Sequence, residues 1–272
     1  MSWLHAVVYG VLQGFSEYLP ISSTAHLLIA GRLTGWGDPS AAFTAVIQIG
    51  TILAVLVYFR RDLVELLKGL LKTIRERNLD DADGRMAWLL VIGSFPIMVL
   101  GYLFRNAIEG PARNLVVVGL SLVLGGVLLL VADLLGKGHL GVNHLDVRYA
   151  LILGVGQSLA LIPGVSRSGA TIAVALLLGF NRVAATRFSF LLAIPAVVVS
   201  GLYELRKVAD GQVAWAPTII ATVLSFVVGY AFIAFVREFS HGEERSVHFH
   251  LAPDTKEVKT AVGDAVLLGE FK

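Results

Sequence analysis

Gln13, Glu17, Ser22, Ser23, Thr24 and His26 crowd around Pro20 in the stretch "QGFSEYLPISSTAH". A carboxylate, hydroxyls and an imidazole held together where water is scarce suit nucleophilic and acid–base chemistry. Gln13 and Glu17 are four residues apart, so a helix places them on one face. Ser22 and Ser23 follow Pro20, where the chain must restart a helix. The free N–H groups and positive dipole end at such a start make an anion site. His26, three residues after Ser23, falls on the same side of that short helix. The plainer alternative is that the hydroxyls satisfy backbone at a proline kink and His26 bonds within the core.

A second group reads "PGVSRSGAT" at 163–171. Arg167 supplies a permanently charged fork suited to bidentate phosphate contact, and Ser166, Ser168 and Thr171 supply hydroxyls. An arginine at membrane depth needs an anionic partner, either Glu17 or a bound phosphate. A Glu17–Arg167 bridge that merely pins two segments together would leave the hydroxyls and His26 without a role. Gln48 and Gln157 either line the same cavity or bond between helices. Snorkelling accounts for Arg182 and Arg187, and His139 and His144 read as solvated loop residues. His248 and His250 have strand-like spacing that is weak evidence for metal, and Gly125 and Gly126 read as close-packing positions.

The elements that must position these groups are membrane helices. The 272 residues are 56% hydrophobic and 15% charged, with mean hydropathy +0.76, against the roughly 25% charged typical of soluble domains. A net charge of +2 and the lack of a basic stripe argue against a nucleic-acid partner, and zero cysteines exclude disulfides and thiolate chemistry. The first residues lack a cleavable leader pattern. Spans of about 20 apolar residues are expected near 42–59, 86–104, 115–135, 188–205 and 216–236. The stretches 3–19 with 24–33, and 149–162 with 169–179, are shorter and broken at Pro20 and Pro163. They predict two re-entrant helical hairpins lining a cavity.

The loop 60–85 carries Arg60, Arg61, Lys68, Lys72, Arg75, Arg77 and Arg85 and is expected to be cytoplasmic. It follows that 105–114 and 206–215 face out, while 136–148 and 237 onward face in. "GVLQGFSEYLPISST" at 10–24 is echoed by "GVGQSLALIPGVSRS" at 154–168. An inverted repeat over about 3–60 and 147–206 is therefore expected, with the site at its interface. The expected fold is an all-α polytopic membrane protein with two re-entrant hairpins and about five to six spanning helices.

"QGFSE" with "PISSTAH", and "PGVSRSGAT", resemble the motifs of the undecaprenyl-diphosphate phosphatases, the bacitracin-resistance integral membrane phosphatases. "VIQIGTILAV" and "FSFLLAIP" also resemble family segments, and the likeness covers about residues 3–237. The resemblance implies a plasma-membrane hydrolase of a phosphoric anhydride with its site open to the outer, periplasmic face. It would convert undecaprenyl diphosphate to the monophosphate and inorganic phosphate, recycling the carrier for cell-wall synthesis and giving bacitracin resistance. The alternative of another class is a flippase for the lipid phosphate.

Carried over by motif, Gln13 and Glu17 would hold a divalent cation, Mg²⁺ or Ca²⁺. Arg167 with Ser166, Ser168 and Thr171 would grip the diphosphate, joined by Ser22, Thr24 and Gln48. Ser23 with His26 as base is the favoured nucleophile, against attack by His26 itself or by a metal-held water. The expected partners are the polyprenyl diphosphate, membrane lipids and, as an option, a second copy in a homodimer. Three departures stand out. Gln13 stands where the family also uses a carboxylate, and Arg187 where relatives can carry an acid. Residues 238–272 are a polar tail with strand-prone pieces in place of a last spanning helix.

Overall fold

In lipid a helix satisfies its own backbone groups, and the apolar runs of this chain fold accordingly. The computed structural model describes residues 2–109, 114–208 and 214–243. In chain order the helices are α1 (Trp3–Ser16), α2 (Ser23–Leu33), α3 (Ala41–Tyr58), α4 (Arg60–Glu76), α5 (Ala82–Leu103) and α6 (Arg105–Glu109). They continue with α7 (Leu115–Leu135), α8 (Val147–Ser158), α9 (Arg167–Leu177), α10 (Arg182–Val208) and α11 (Trp215–Glu243). Among the described residues the one extended pairing is a single bridge between Leu140 and Phe180.

Ala82–Leu103, Leu115–Leu135, Arg182–Gly201 and Trp215–Phe235 are long and apolar enough to cross a membrane, and α3 with α4, bent by 75°, adds a fifth span when counted as one. The chain is an all-α polytopic membrane protein. Two expectations need correcting. Residues 60–76 form α4 instead of loop: Leu63, Leu66 and Leu70 pack inward at helical spacing, while Val64, Leu67, Leu71 and Ile74 stay exposed among charges. That pattern suits a helix lying along the membrane surface. The last helix also runs on to Glu243, past the expected end at 236. The strand-prone tail pieces, His248 and His250 lie outside the described residues.

α1, the break and α2 are matched by α8, a second break and α9. Starts at Trp3 and Val147, starts at Ser23 and Arg167, and ends at Leu33 and Leu177 are each 144 residues apart. Both second helices are capped by the preceding serine: Ser22 accepts from the Ala25 N–H and Ser166 from the Gly169 N–H. The two halves exchange partners, with α1 packed chiefly on α11 and α8 on α5. Hydroxyls tie other pairs of long helices, from Ser225 on α11 to the Ile47 carbonyl of α3 at 2.6 Å and from Ser94 on α5 to the Leu192 carbonyl of α10 at 3.3 Å. Such bonds are a common glue between membrane helices.

Close approach at the α5–α8 seam depends on glycine. A Cβ at Gly154 would stand 2.0 Å from the Gly93 carbonyl oxygen, so Gly154→Ala must push α8, and the second hairpin with it, off α5. Overpacking of this kind costs about 1–3 kcal/mol. The variant is expected to melt earlier in detergent, whereas Gly125→Ala should melt like the wild type. A Cβ at Gly125 or Gly126 meets nothing within 4 Å, because α7 turns that face away from the described bundle. The close-packing reading of those two glycines is therefore corrected.

Candidate active site

Both hairpin breaks deliver their polar groups to one place. Glu17 follows the last residue of α1, and α2 restarts from Ser22 with φ +65°. That backbone conformation is rare for a residue with a side chain and stores about 1–3 kcal/mol. Sites of this kind persist where the surroundings hold them. In the second break Gly164 takes φ +103°, and Arg167 becomes the first residue of α9.

Glu17 is the hub. Its Oε2 accepts from Gln13 Nε2 at 2.8 Å and from Ser23 Oγ at 2.6 Å. Its Oε1 accepts from Gln48 Nε2 at 2.9 Å and from Arg167 Nη2 at 2.9 Å. Four donors from α1, α2, α3 and α9 thus converge on one carboxylate. The ion pair is largely shielded, with Arg167 21% and Glu17 14% exposed at the side chain. The carboxylate is oriented toward the Ser23 hydroxyl at a distance suited to taking its proton.

The ion pair borders a cavity of about 390 Å³. Glu17, Ser23, Thr24, Gln48, Ser166 and Arg167 give it a polar end, and Ile97, Leu161 and Ala196 are among its apolar walls. Ser22 lines it as well. A narrower, mostly apolar crevice of about 50 Å³ shares Glu17 and Arg167 with it and includes Ser168.

The remaining predicted residues are placed differently. His26 is not among the cavity-lining residues, and its Nδ1 lies 2.9 Å from the Ser22 carbonyl oxygen. The hydroxyl of Ser23 is engaged by Glu17 and not by His26, so the base within reach of Ser23 is the carboxylate. Thr171 is buried, and its hydroxyl donates to the Arg167 carbonyl at 2.9 Å. It steadies the start of α9 from behind. Ser168 pairs with Ser166 through their hydroxyls at 3.1 Å. Gln157, the counterpart of Gln13, is fully buried, and neither of its side-chain polar atoms finds a partner among the described residues.

Arg182 and Arg187 are explained by acids and not by snorkelling alone. Arg182 forms a forked pair with Asp133 at 2.8 and 3.0 Å, and Arg187 lies within the field of Asp62 and Asp83. His139 and His144 are exposed, as expected. Sequence reasoning passed over Arg105, which lines the same cavity. Its position just past the end of an apolar span was the available signal.

The donors suit a hard cation. Among the described residues no three of His, Cys, Asp and Glu converge, but Gln13 Oε1 is buried without a partner beside Glu17. Mg²⁺ is commonly bound by one or two carboxylates, waters and substrate phosphates. An all-oxygen set of Glu17, Gln13 Oε1 and nearby hydroxyls fits that habit.

With this geometry in place, similarity to known proteins is informative. The family described as "Bacitracin resistance protein BacA" matches residues 6–249. The undecaprenyl-diphosphatase of Streptomyces griseus is 49% identical over 247 residues, covering 86% of this chain and 85% of its own. That of Renibacterium salmoninarum is 49% identical over 253 residues, covering 90% of each. The undecaprenyl-diphosphatase 2 of Agrobacterium fabrum is 48% identical over 237 residues, covering 86% and 85%. Matched over nearly its whole described length, and carrying both polar motifs in one cavity, the chain belongs to the bacitracin resistance protein BacA family.

Proposed function

We propose that this protein hydrolyses undecaprenyl diphosphate to the monophosphate and inorganic phosphate. The observation that carries the reading is the Ser23–Glu17 bond of 2.6 Å, set beside Arg167 in one cavity. Glu17 takes the proton of Ser23 as its oxygen attacks the terminal phosphorus. The bond to the bridging oxygen breaks, and the lipid monophosphate leaves with that oxygen. Water then cleaves the phosphoserine, returning the proton to Ser23 and releasing phosphate. Arg167 and the free N–H groups at the start of α2 oppose the charge that builds on the phosphoryl oxygens. A divalent cation held by Glu17 and Gln13 would neutralise further charge on the diphosphate. His26 holds the first turn of α2 through the Ser22 carbonyl.

The orientation follows from charge. The basic stretch at 60–85 sits at the start of α5, and the part of the cavity lined by Tyr102 and Arg105 sits at its end, so a cytoplasmic basic stretch puts that opening on the outer face of the plasma membrane. The prenyl tail can then stay among lipids beside the apolar wall. The test is phosphate release from a prenyl diphosphate by the purified protein, with and without chelator. We expect turnover that chelator suppresses, a loss of about a thousandfold in Ser23→Ala, and a much smaller loss in His26→Ala. Near-normal turnover in Ser23→Ala with an inactive His26→Ala would transfer the attack to His26.

A further inference from the structure

The cavity contains three formal charges: Glu17, Arg167 and Arg105. Glu17 and Arg167 neutralise each other at 2.9 Å. Among the described residues Arg105 has no carboxylate partner, which leaves a net charge of +1 on the cavity's described lining. The guanidinium is fixed in place. Nη1 donates to the Tyr102 carbonyl at 2.9 Å, and the fork lies over the Tyr102 ring with its carbon 4.5 Å from the centroid. One of five N–H groups is used there; among the described residues the other four have no acceptor and can serve a ligand.

Depth distinguishes Arg105 from Arg167. It lies just past Leu103, the end of an apolar span, beside the 65% exposed ring of Tyr102. A tyrosine at a span end marks headgroup level. A terminal phosphoryl at Ser23 must sit deep in the cavity. The phosphate that carries the prenyl chain must lie farther out, where lipid headgroups lie.

We propose that Arg105 is a second phosphate subsite, which binds the lipid-side phosphate of the substrate and holds the lipid monophosphate after cleavage. This rests on the phosphatase reading for its place in the reaction, though not for the binding itself. The ligand class is a prenyl phosphate, recognised at its monoester by a forked cation over an aromatic ring. Arg167 and Arg105 then divide a diphosphate between them, one phosphate each.

The test is direct binding of farnesyl monophosphate by calorimetry to the wild type, Arg105→Gln and Arg105→Lys, which needs no turnover. Loss of a charge-assisted fork is expected to weaken binding about tenfold in Arg105→Gln, with Arg105→Lys intermediate because charge survives without the fork. With farnesyl diphosphate as substrate, the KM of Arg105→Gln should rise by a similar factor and its kcat change far less. Inhibition by inorganic phosphate should not move. Equal farnesyl monophosphate binding in wild type and Arg105→Gln overturns the subsite. Weakened inhibition by inorganic phosphate overturns its assignment to the lipid side. Arginine-dependent binding in a protein that hydrolyses no prenyl diphosphate would uphold the subsite and reject the phosphatase reading.

Discussion

Glu17→Gln is expected to lower phosphate release by about a thousandfold, in the range of general-base losses, and to leave the detergent-solubilised protein folded. The substitution removes the proton acceptor for Ser23 but keeps the shape. The new amide can still accept from Arg167 and Gln48, and Gln13 can turn its unpartnered Oε1 toward the new N–H groups. Glu17→Ala offers no such repair. It strands Arg167 in a shielded site, and breaking a buried pair costs about 3–5 kcal/mol, less here because both side chains keep some exposure. Thermal unfolding should therefore separate the two variants, with Glu17→Ala melting clearly earlier. A Glu17→Gln enzyme within tenfold of wild type would remove the carboxylate from the role of base.

Arg167→Ala is expected to be comparably damaging to turnover, by about 10³ to 10⁵, the range for an arginine that stabilises a transferring phosphoryl group. Arg167→Lys should recover little, because a point charge on a flexible stem does not reproduce a fork aimed at both Glu17 and phosphate. Added guanidinium ion should restore part of the activity of Arg167→Ala and none of that of Glu17→Gln. Failure of that rescue, together with full activity in Arg167→Lys, would reduce Arg167 to a structural counter-ion. His26→Ala is the contrasting case, since its ring holds backbone at the start of α2 and does not face the cavity.

The large features were legible because a bilayer leaves few choices. Proline after a short apolar run, followed by hydroxyls, announced both breaks to within two or three residues. An arginine at membrane depth demanded an anion, which put Glu17 forward as one of two partners beside a bound phosphate. The pairing of Ser23 was not legible. Helical spacing favours His26, but Ser23 stands at the first turn after a break, and with Ser22 at positive φ the Ser23 hydroxyl reaches back to Glu17 beyond the end of the preceding helix. Thr171 misled in a similar way, since a threonine within a helix can spend its hydroxyl on a carbonyl four residues back. Gln48 and Gln157 look alike in sequence, and packing alone makes one a hydrogen-bond donor to Glu17 and leaves the other without a partner among the described residues. The acids around Arg187 belong to distant segments, Asp62 near the start of α4 and Asp83 near the start of α5, which no local pattern connects.

The bond between Glu17 and Arg167 joins residues 150 positions apart, and this orders the making of the enzyme. The ribosome delivers the first hairpin early, and its carboxylate enters the bilayer with only the neighbouring amide and hydroxyl for company. Three long helices are threaded before the arginine emerges. An arginine at mid-membrane costs about 2.5–3.5 kcal/mol to insert on its own, so the waiting carboxylate draws the second hairpin home. A nascent chain released before residue 167 has the first hairpin's carboxylate without the arginine that pairs with it, so the two-hairpin cavity is complete only once the second hairpin has arrived.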